Sequence, residues 1–222
     1  MRKFYKIIIL ILSFTVLSTY FPNQLNNKSS YFFPIKNIEI ENNKIIKKDD
    51  LIRDLKNLIG KNLLFINPDI VKLSILKFNF ISSFKIKKIY PSTIRLIITE
   101  KIPVAIYNDG KKNYYLIKNG DLIDYTTLEN YSNLPSVIGK EFNFKDMYHN
   151  LKNSKFPIEE IESFHYFEIG RWNINLKKNV ILKLPEKKYN ETLINFIKIK
   201  DNKSFEKYKI FDYRIKNQLI LK

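Results

Sequence analysis

The chain has 222 residues, no cysteine, and 39 lysines and arginines against 22 aspartates and glutamates, for a formal charge of +17. Without cysteine there is no disulfide framework, thiolate-ligated zinc site, haem attachment motif or thiol nucleophile, so packing alone must hold the fold. Clustered cations suit phosphate, but arginine occurs only at positions 2, 53, 95, 171 and 214 and the lysines are spread along the whole chain, which describes a solvated surface rather than a nucleic-acid interface.

The chain opens with Arg2, Lys3 and Lys6 and runs into an apolar stretch, Ile7 to Phe21. Its apolar side chains are Ile7, Ile8, Ile9, Leu10, Ile11, Leu12, Phe14, Val16, Leu17, Tyr20 and Phe21. Cations ahead of a first apolar segment are held on the cytoplasmic side, so the rest is expected outside the cytoplasm. As helix, the 18 residues from Phe4 to Phe21 would span roughly 27 Å, enough for a hydrocarbon core of about 30 Å if Lys6 snorkels outward. Two readings of these residues stay open, a permanent anchor or an export signal that is cleaved. No Ala-x-Ala pair is present, and Val16-Leu17-Ser18 is a poor substitute. The expected layout is a tail at 1–6, a transmembrane anchor at 7–22 and a polar linker at 23–33.

From Pro34 onward the pattern becomes periodic. Ile35 to Glu41 alternates apolar and polar as a half-buried strand does, and Asn42-Asn43 supplies a turn. A helix is predicted from Asp49 and Asp50, with Leu51, Ile52, Leu55, Leu58 and Ile59 on its inner face and Gly60 closing it. A second helix is predicted with Asn67 as N-cap, Pro68 at its first position, and Ile70, Leu73 and Leu76 leading to Phe78. Strands follow at Phe84 to Tyr90 and Thr93 to Lys101, joined at Pro91-Ser92. Residues 34–102 thus form a β-α-α-β-β unit.

Residues 103–222 are β-rich. Tyr114 to Lys118 and Asp121 to Tyr125 flank Asn119-Gly120, the signature of a two-residue type I′ hairpin. Further strands are expected at Val104 to Tyr107, Glu160 to Glu168, Trp172 to Lys177, Val180 to Leu184, Tyr208 to Ile215 and Gln218 to Lys222. Helices are expected at Phe142 to Asn153 and Tyr189 to Lys200. The class is α+β: a single transmembrane helix, the β-α-α-β-β unit, then a β domain with a mixed or antiparallel sheet and flanking helices.

That order of elements resembles a POTRA domain, the module of polypeptide-transport and division proteins. The joins are more specific: Tyr90 to Tyr107 (YPSTIRLIITEKIPVAIY), Tyr114 to Asp124, Leu134 to Gly139, Arg171 to Glu186 and Phe211 to Lys222 follow in order. Together they resemble the FtsQ/DivIB family of bacterial cell-division proteins, and Leu184-Pro185-Glu186 is similar to its alphaproteobacterial members. Two departures stand out, a tail of about six residues where many relatives carry a long one, and Tyr213 where leucine is usual. The resemblance implies an uncleaved anchor, an inner-membrane protein with its C-terminus in the periplasm at the division septum, and no enzymatic activity. It also implies a C-terminal sheet that docks FtsB together with FtsL, and other division proteins meeting the POTRA domain. A membrane-tethered component of polypeptide transport or outer-membrane assembly is the rival class, though such proteins usually repeat the module or append a barrel.

Catalytic patterns are weak. His149 and His165 fall in different elements, and Glu159, Glu160, Glu162 and Glu168 fit alternation along a strand better than a glycosidase pair. The five glycines form no phosphate loop, Asn190-Glu191-Thr192 is a chance-level glycosylation match, and neither cofactor, metal nor small-molecule substrate is expected. The functional candidate is a strand edge. Gln218, Leu219, Ile220 and Leu221 alternate after the turn Lys216-Asn217, and a sheet-margin strand leaves a row of backbone groups open to a partner strand. Arg171, Arg214 and Ile215 complete the expected partner-binding set, the two arginines gripping acids of FtsB. Against that stands the reading in which both arginines satisfy local carboxylates and Trp172 is core.

Overall fold

In Thr93–Glu100, Ile94, Leu96 and Ile98 are fully buried while their neighbours face outward. This strand is the middle of a three-stranded sheet in the computed structural model, which describes residues 2–19, 32–140 and 143–222. The described chain divides into two compact units, Met1–Glu100 and Lys101–Lys222.

In the first unit, helix α1 covers Arg2–Thr19, followed by β1 (Asn37–Glu41), α2 (Lys48–Asp54), α3 (Pro68–Ile75), β2 (Ile81–Ile89) and β3 (Thr93–Glu100). The sheet order is β1-β3-β2, with β1 parallel to β3 and β2 antiparallel to it. The β-α-α-β-β order is the expected one. Leu51, Leu55 and Leu58 are completely buried as predicted, each such side chain contributing about 2 kcal/mol. α2 is shorter than its pattern, passing into a 3₁₀ turn at Lys56–Leu58 that leaves Ile59 exposed rather than inside.

Asn67 caps α3 as expected, its side chain accepting the Asp69 N–H at 2.9 Å. The inner face of α3 differs from the prediction, because Val71 and Ile75 are buried while Leu73 and Leu76 are exposed. In a helix of only eight residues the i, i+4 pair on the core side sets the rotation and leaves Leu73 opposite it. Glu100, at the end of β3, accepts backbone N–H bonds from Lys44 (2.8 Å), Ile45 (2.9 Å) and Ile46 (3.0 Å). One carboxylate thereby closes the loop leading into α2.

The second unit contains β4 (Pro103–Asn108), β5 (Asn113–Ile117), β6 (Leu122–Asp124), β7 (Ser136–Ile138), α4 (Phe144–Asn153), β8 (Ile161–Phe167), β9 (Arg171–Leu176), β10 (Val180–Lys183), α5 (Tyr189–Lys200), β11 (Ile210–Asp212) and β12 (Ile220–Leu221). Its strands form one mixed nine-stranded sheet ordered β12-β11-β10-β9-β8-β7-β4-β5-β6. Phe144, Met147 and Leu151 of α4 and Leu193 and Phe196 of α5 share a buried core with Phe164, Trp172 and Phe211. Phe144 meets Phe164 edge-on with centroids 5.5 Å apart, and Phe196 meets Phe211 likewise at 5.0 Å.

Three expectations are corrected here. The hairpin at Asn119-Gly120 is not type I′: only Gly120 has positive φ (+91°), and Gly120 N–H bonds Ile117 at 2.8 Å across a three-residue turn. Asn119 instead accepts the Asp121 N–H with its side chain at 3.2 Å. The strand predicted over Tyr208 to Ile215 shrinks to Ile210–Asp212, because Asp212 takes the Arg214 N–H at 3.1 Å and bends the chain out of the ladder. The final strand shrinks to Ile220–Leu221, since Gln218 is still in a turn, donating to the Ile215 carbonyl at 3.2 Å. Phe142, the predicted start of α4, lies outside the described residues; the helix begins at Phe144 behind an Asn143 cap.

Candidate functional site

β11 aligns parallel to β10 (Lys183 level with Asp212), and β12 runs antiparallel on its other side, with Phe211 opposite Leu221 and Asp212 opposite Ile220. Ile210 and Lys222 exchange both backbone hydrogen bonds, at 2.9 and 3.1 Å. Antiparallel pairing alternates bonded and non-bonded positions, so Ile220 and Lys222 turn their backbone groups toward β11 and Leu221 turns its own away. Among the described residues no strand pairs with that outer side of β12. The side chains of Leu219 and Leu221 pack against the core, so this outward backbone row sits on a seated strand rather than a loose end.

The same register brings Arg171 and Arg214 to one end of the sheet. Asn173 pairs with Lys183 and Lys183 with Asp212, and Arg171 and Arg214 each lie two residues from that row, on the same side of it. They differ in what they hold. Arg214 forks onto Asp212, with Nε 2.8 Å from Oδ1 and Nη2 2.6 Å from Oδ2. Asp212 is buried (7% exposed), and the guanidinium beside it holds its carboxyl below the usual carboxylate range while Asp212 raises the arginine in turn. Arg214 therefore satisfies a local carboxylate, and the expectation that its whole fork is free for a partner is corrected. Arg171, half-buried, makes no ion pair among the described residues.

Ile215, Lys216, Asn217 and Gln218 are exposed, and Ile220 is half-buried like its leucine neighbours. Trp172 is core, 3% exposed and 4.8 Å from the Tyr166 ring. Tyr213 reaches across to α5, its hydroxyl donating to Asn195 at 2.7 Å, and burial pushes its pKa up to about 12. Asp212 and the Tyr213–Asn195 bond are the positions that sequence reasoning missed; the alternation of acid and base in Phe211-Asp212-Tyr213-Arg214 was the signal for the first.

His165 Nε2 lies 3.3 Å from the Asn175 side-chain nitrogen and His149 is exposed. Glu160 binds Lys200 at 2.7 Å, so the glutamate cluster is partly ion-paired structure. Among the described residues no group of histidines and acids is placed to hold a metal. In α1, Ile7 to Leu12, Phe14 and Val16 are exposed, Leu17 is helical, and Tyr20 and Phe21 lie outside the described residues. Among the described residues no helix is long and apolar enough to cross a membrane.

With the architecture in view, two family models match: residues 33–101 match the POTRA domain, FtsQ-type, and residues 105–214 match the cell division protein FtsQ/DivIB, C-terminal. The chain belongs to the FtsQ/DivIB family. It is 25% identical over 190 residues to the cell division protein FtsQ of Rickettsia conorii, covering 84% of this chain and 71% of that one. It is also 34% identical over 93 residues to the cell division protein DivIB of Clostridium acetobutylicum, covering 42% of this chain and 37% of the relative. The solved extracytoplasmic domain of DivIB from Geobacillus stearothermophilus, in its trans isomer, aligns with 47% of this chain and 98% of its own at 15% identity. Its TM-score of 0.31 is too low to carry a structural argument. The FtsQ-type POTRA unit and the β domain are thus assigned, and the role lies in cell division. The C-terminal match stops at Arg214, so Ile215 to Lys222 stand on their geometry alone.

Proposed function

We infer that this protein is a non-enzymatic, bitopic division scaffold that captures FtsB, together with FtsL, on the outer side of β12. The single observation behind this reading is the outward backbone row at Leu221 in a chain of the FtsQ/DivIB family. An incoming strand would extend the nine-stranded sheet by one, its main-chain bonds giving affinity and its side chains specificity. Arg171, at the start of β9, and the outer rim of the Arg214 guanidinium supply charge for acids on the partner. Ile215 to Gln218 would meet the partner's flanking residues.

In this reading residues 1–6 stay in the cytoplasm, 7–22 form an uncleaved inner-membrane anchor, 23–33 link it to the periplasmic units, and 34–102 and 103–222 work at the septum. Confinement to one membrane raises the effective concentration of both partners, so a modest interface suffices. Other division proteins would meet the POTRA unit. The experiment is capture of the FtsB homologue by residues 23–222 with and without residues 216–222. Retention of FtsB by the long form alone supports the edge; equal capture by both removes it. Both cores, Ile35–Ile98 and Ala105–Phe211, lie inside that fragment.

A further inference from the structure

Phe33, Pro34 and Ile35 zip against the loop that precedes α3. Leu63 N–H bonds the Phe33 carbonyl at 2.9 Å, Ile35 N–H bonds Lys61 at 2.9 Å, Gly60 N–H bonds Ile35 at 2.9 Å, and Pro34 bridges Asn62 in antiparallel sense. Phe32 and Leu64 flank that pairing. From β2, the Lys88 ammonium donates to the Leu64 carbonyl at 2.6 Å, and the Tyr90 ring meets Phe33 edge-on at 5.5 Å. These paired segments leave five large apolar side chains in solvent: Phe32 (64% exposed), Phe33 (40%), Leu64 (40%), Phe65 (78%) and Tyr90 (52%). A hollow of about 350 Å³ opens beside Phe65, between Lys61 and Ile70. Such a gathered patch on a small unit marks a contact surface rather than scattered exposure.

Charge and chain length say what covers it. Segments 32–37 and 60–67 hold Lys36 and Lys61 and no acidic residue, and Lys88, its ammonium on the Leu64 carbonyl, shares the Tyr90 face of β2, whereas Lys85 and Lys87 alternate onto the opposite face beside Arg95. Aromatic rings set among lysines suit the headgroup layer of a bilayer, the rings entering the acyl boundary and the ammonium groups meeting lipid phosphates. Phe32 is also where the chain enters the unit. Thirteen residue steps separate it from Thr19 at the end of α1, so it stays within about 45 Å of that point even fully extended. We propose that the face formed by Phe32, Phe33, Leu64, Phe65 and Tyr90 docks the POTRA unit onto the anionic lipid surface of the membrane that holds α1. The proposal rests on the anchor reading for its geometry, and docking would fix the height and tilt at which the unit is presented.

The test uses residues 32–222, which retain both cores but lack α1, so vesicle binding reads the patch alone; resistance of the full chain to alkaline extraction reads the anchor separately. Because the chain has no cysteine, Phe65→Cys carries one environment-sensitive dye. With vesicles of equimolar phosphatidylglycerol and phosphatidylcholine, the dye emission shifts to the blue and the fragment floats, salt reverses both, and phosphatidylcholine alone gives neither. A dye on Ile169→Cys, exposed in the other unit, does not shift. The unlabelled pair Leu64→Asp with Phe65→Asp, both at exposed positions, floats about tenfold less well while keeping the parent's circular dichroism. Failure to float on anionic vesicles, an equal shift at position 169, or undiminished flotation of the aspartate pair overturns the proposal. A concentration-dependent shift without lipid also overturns it, in favour of a second protein copy on this face.

Discussion

Arg214 grips Asp212 through two of its nitrogens and also sends its own backbone N–H to the same carboxylate. One acid thus ends β11, orients the arginine and neutralises it. Burying a carboxylate is tolerable only with such partners. Asp212→Ala, which leaves the guanidinium and the Arg214 N–H without their acceptor, is expected to destabilise the β unit by about 2 kcal/mol. The urea midpoint of residues 23–222 checks this.

The same pair gives a pH dependence with a fixed sign. The folded-state carboxyl of Asp212 titrates below its ordinary value of 3.8, first because of the Arg214 bond. Its stabilisation is complete above that value and disappears as pH falls through the depressed folded-state value. Acid unfolding of Asp212→Asn should therefore be shallower than that of the parent. Parallel acid profiles would show that the carboxylate contributes nothing.

Tyr213 predicts the opposite limb. Its buried phenol, pushed up to about 12 from 10, favours the neutral form, so the stabilisation is whole below pH 10 and is lost as pH rises through about 12. Tyr213→Phe gives up the bond to Asn195, about 1 kcal/mol at neutral pH, and flattens the alkaline loss of stability. Tyr115 and Tyr189, also raised by burial, leave a residual slope. Absorbance-monitored titration with chemical denaturation at each pH makes the comparison.

Glu100 predicts a local effect in the POTRA unit. Removing its carboxylate strips acceptors from three successive N–H groups. Glu100→Ala should cost about 2 kcal/mol and accelerate hydrogen exchange at Lys44, Ile45 and Ile46 before other amides of the unit.

Gly139 ends the Leu134 to Gly139 motif where β7 meets β8. Its φ is +126°, and a Cβ there would sit 2.5 Å from the Tyr166 carbonyl oxygen, a backbone atom that cannot step aside cheaply. Gly139→Ala is expected to lower stability by about 2 kcal/mol or more. A thermal midpoint equal to the parent's would contradict the close approach.

Features whose partners lie within a turn or a strand were legible in the sequence: the buried Leu51-Leu55-Leu58 face, the Asn67 cap, and the alternation of β3. Those set by distant pairing were not. The rotation of α3 depends on which side the core lies, which Val71 and Ile75 reveal only once the sheet is present. The turn at Asn119 was misread because a side-chain bond to Asp121 replaced the positive φ that Asn-Gly suggests. The edge position of the last strand was legible, its length was not, since the Asp212 side chain and the Ile215–Gln218 turn consume residues that alternate like strand. The Phe32 to Tyr90 patch had no local signal, being assembled from three segments far apart in the chain.

The central claim is that the backbone of Leu221 receives a partner strand. Proline at an edge position removes an outward N–H while sparing the inner ladder, which here runs through Ile220 and Lys222. The decisive measurement is the dissociation constant of residues 23–222 for the FtsB homologue, compared between Leu221→Pro and Leu221→Ala, both of which give up the leucine packing against the core while only proline removes the outward N–H. Binding about tenfold weaker for the proline variant than for the alanine variant is the expected result, and equal affinity of the two contradicts the account.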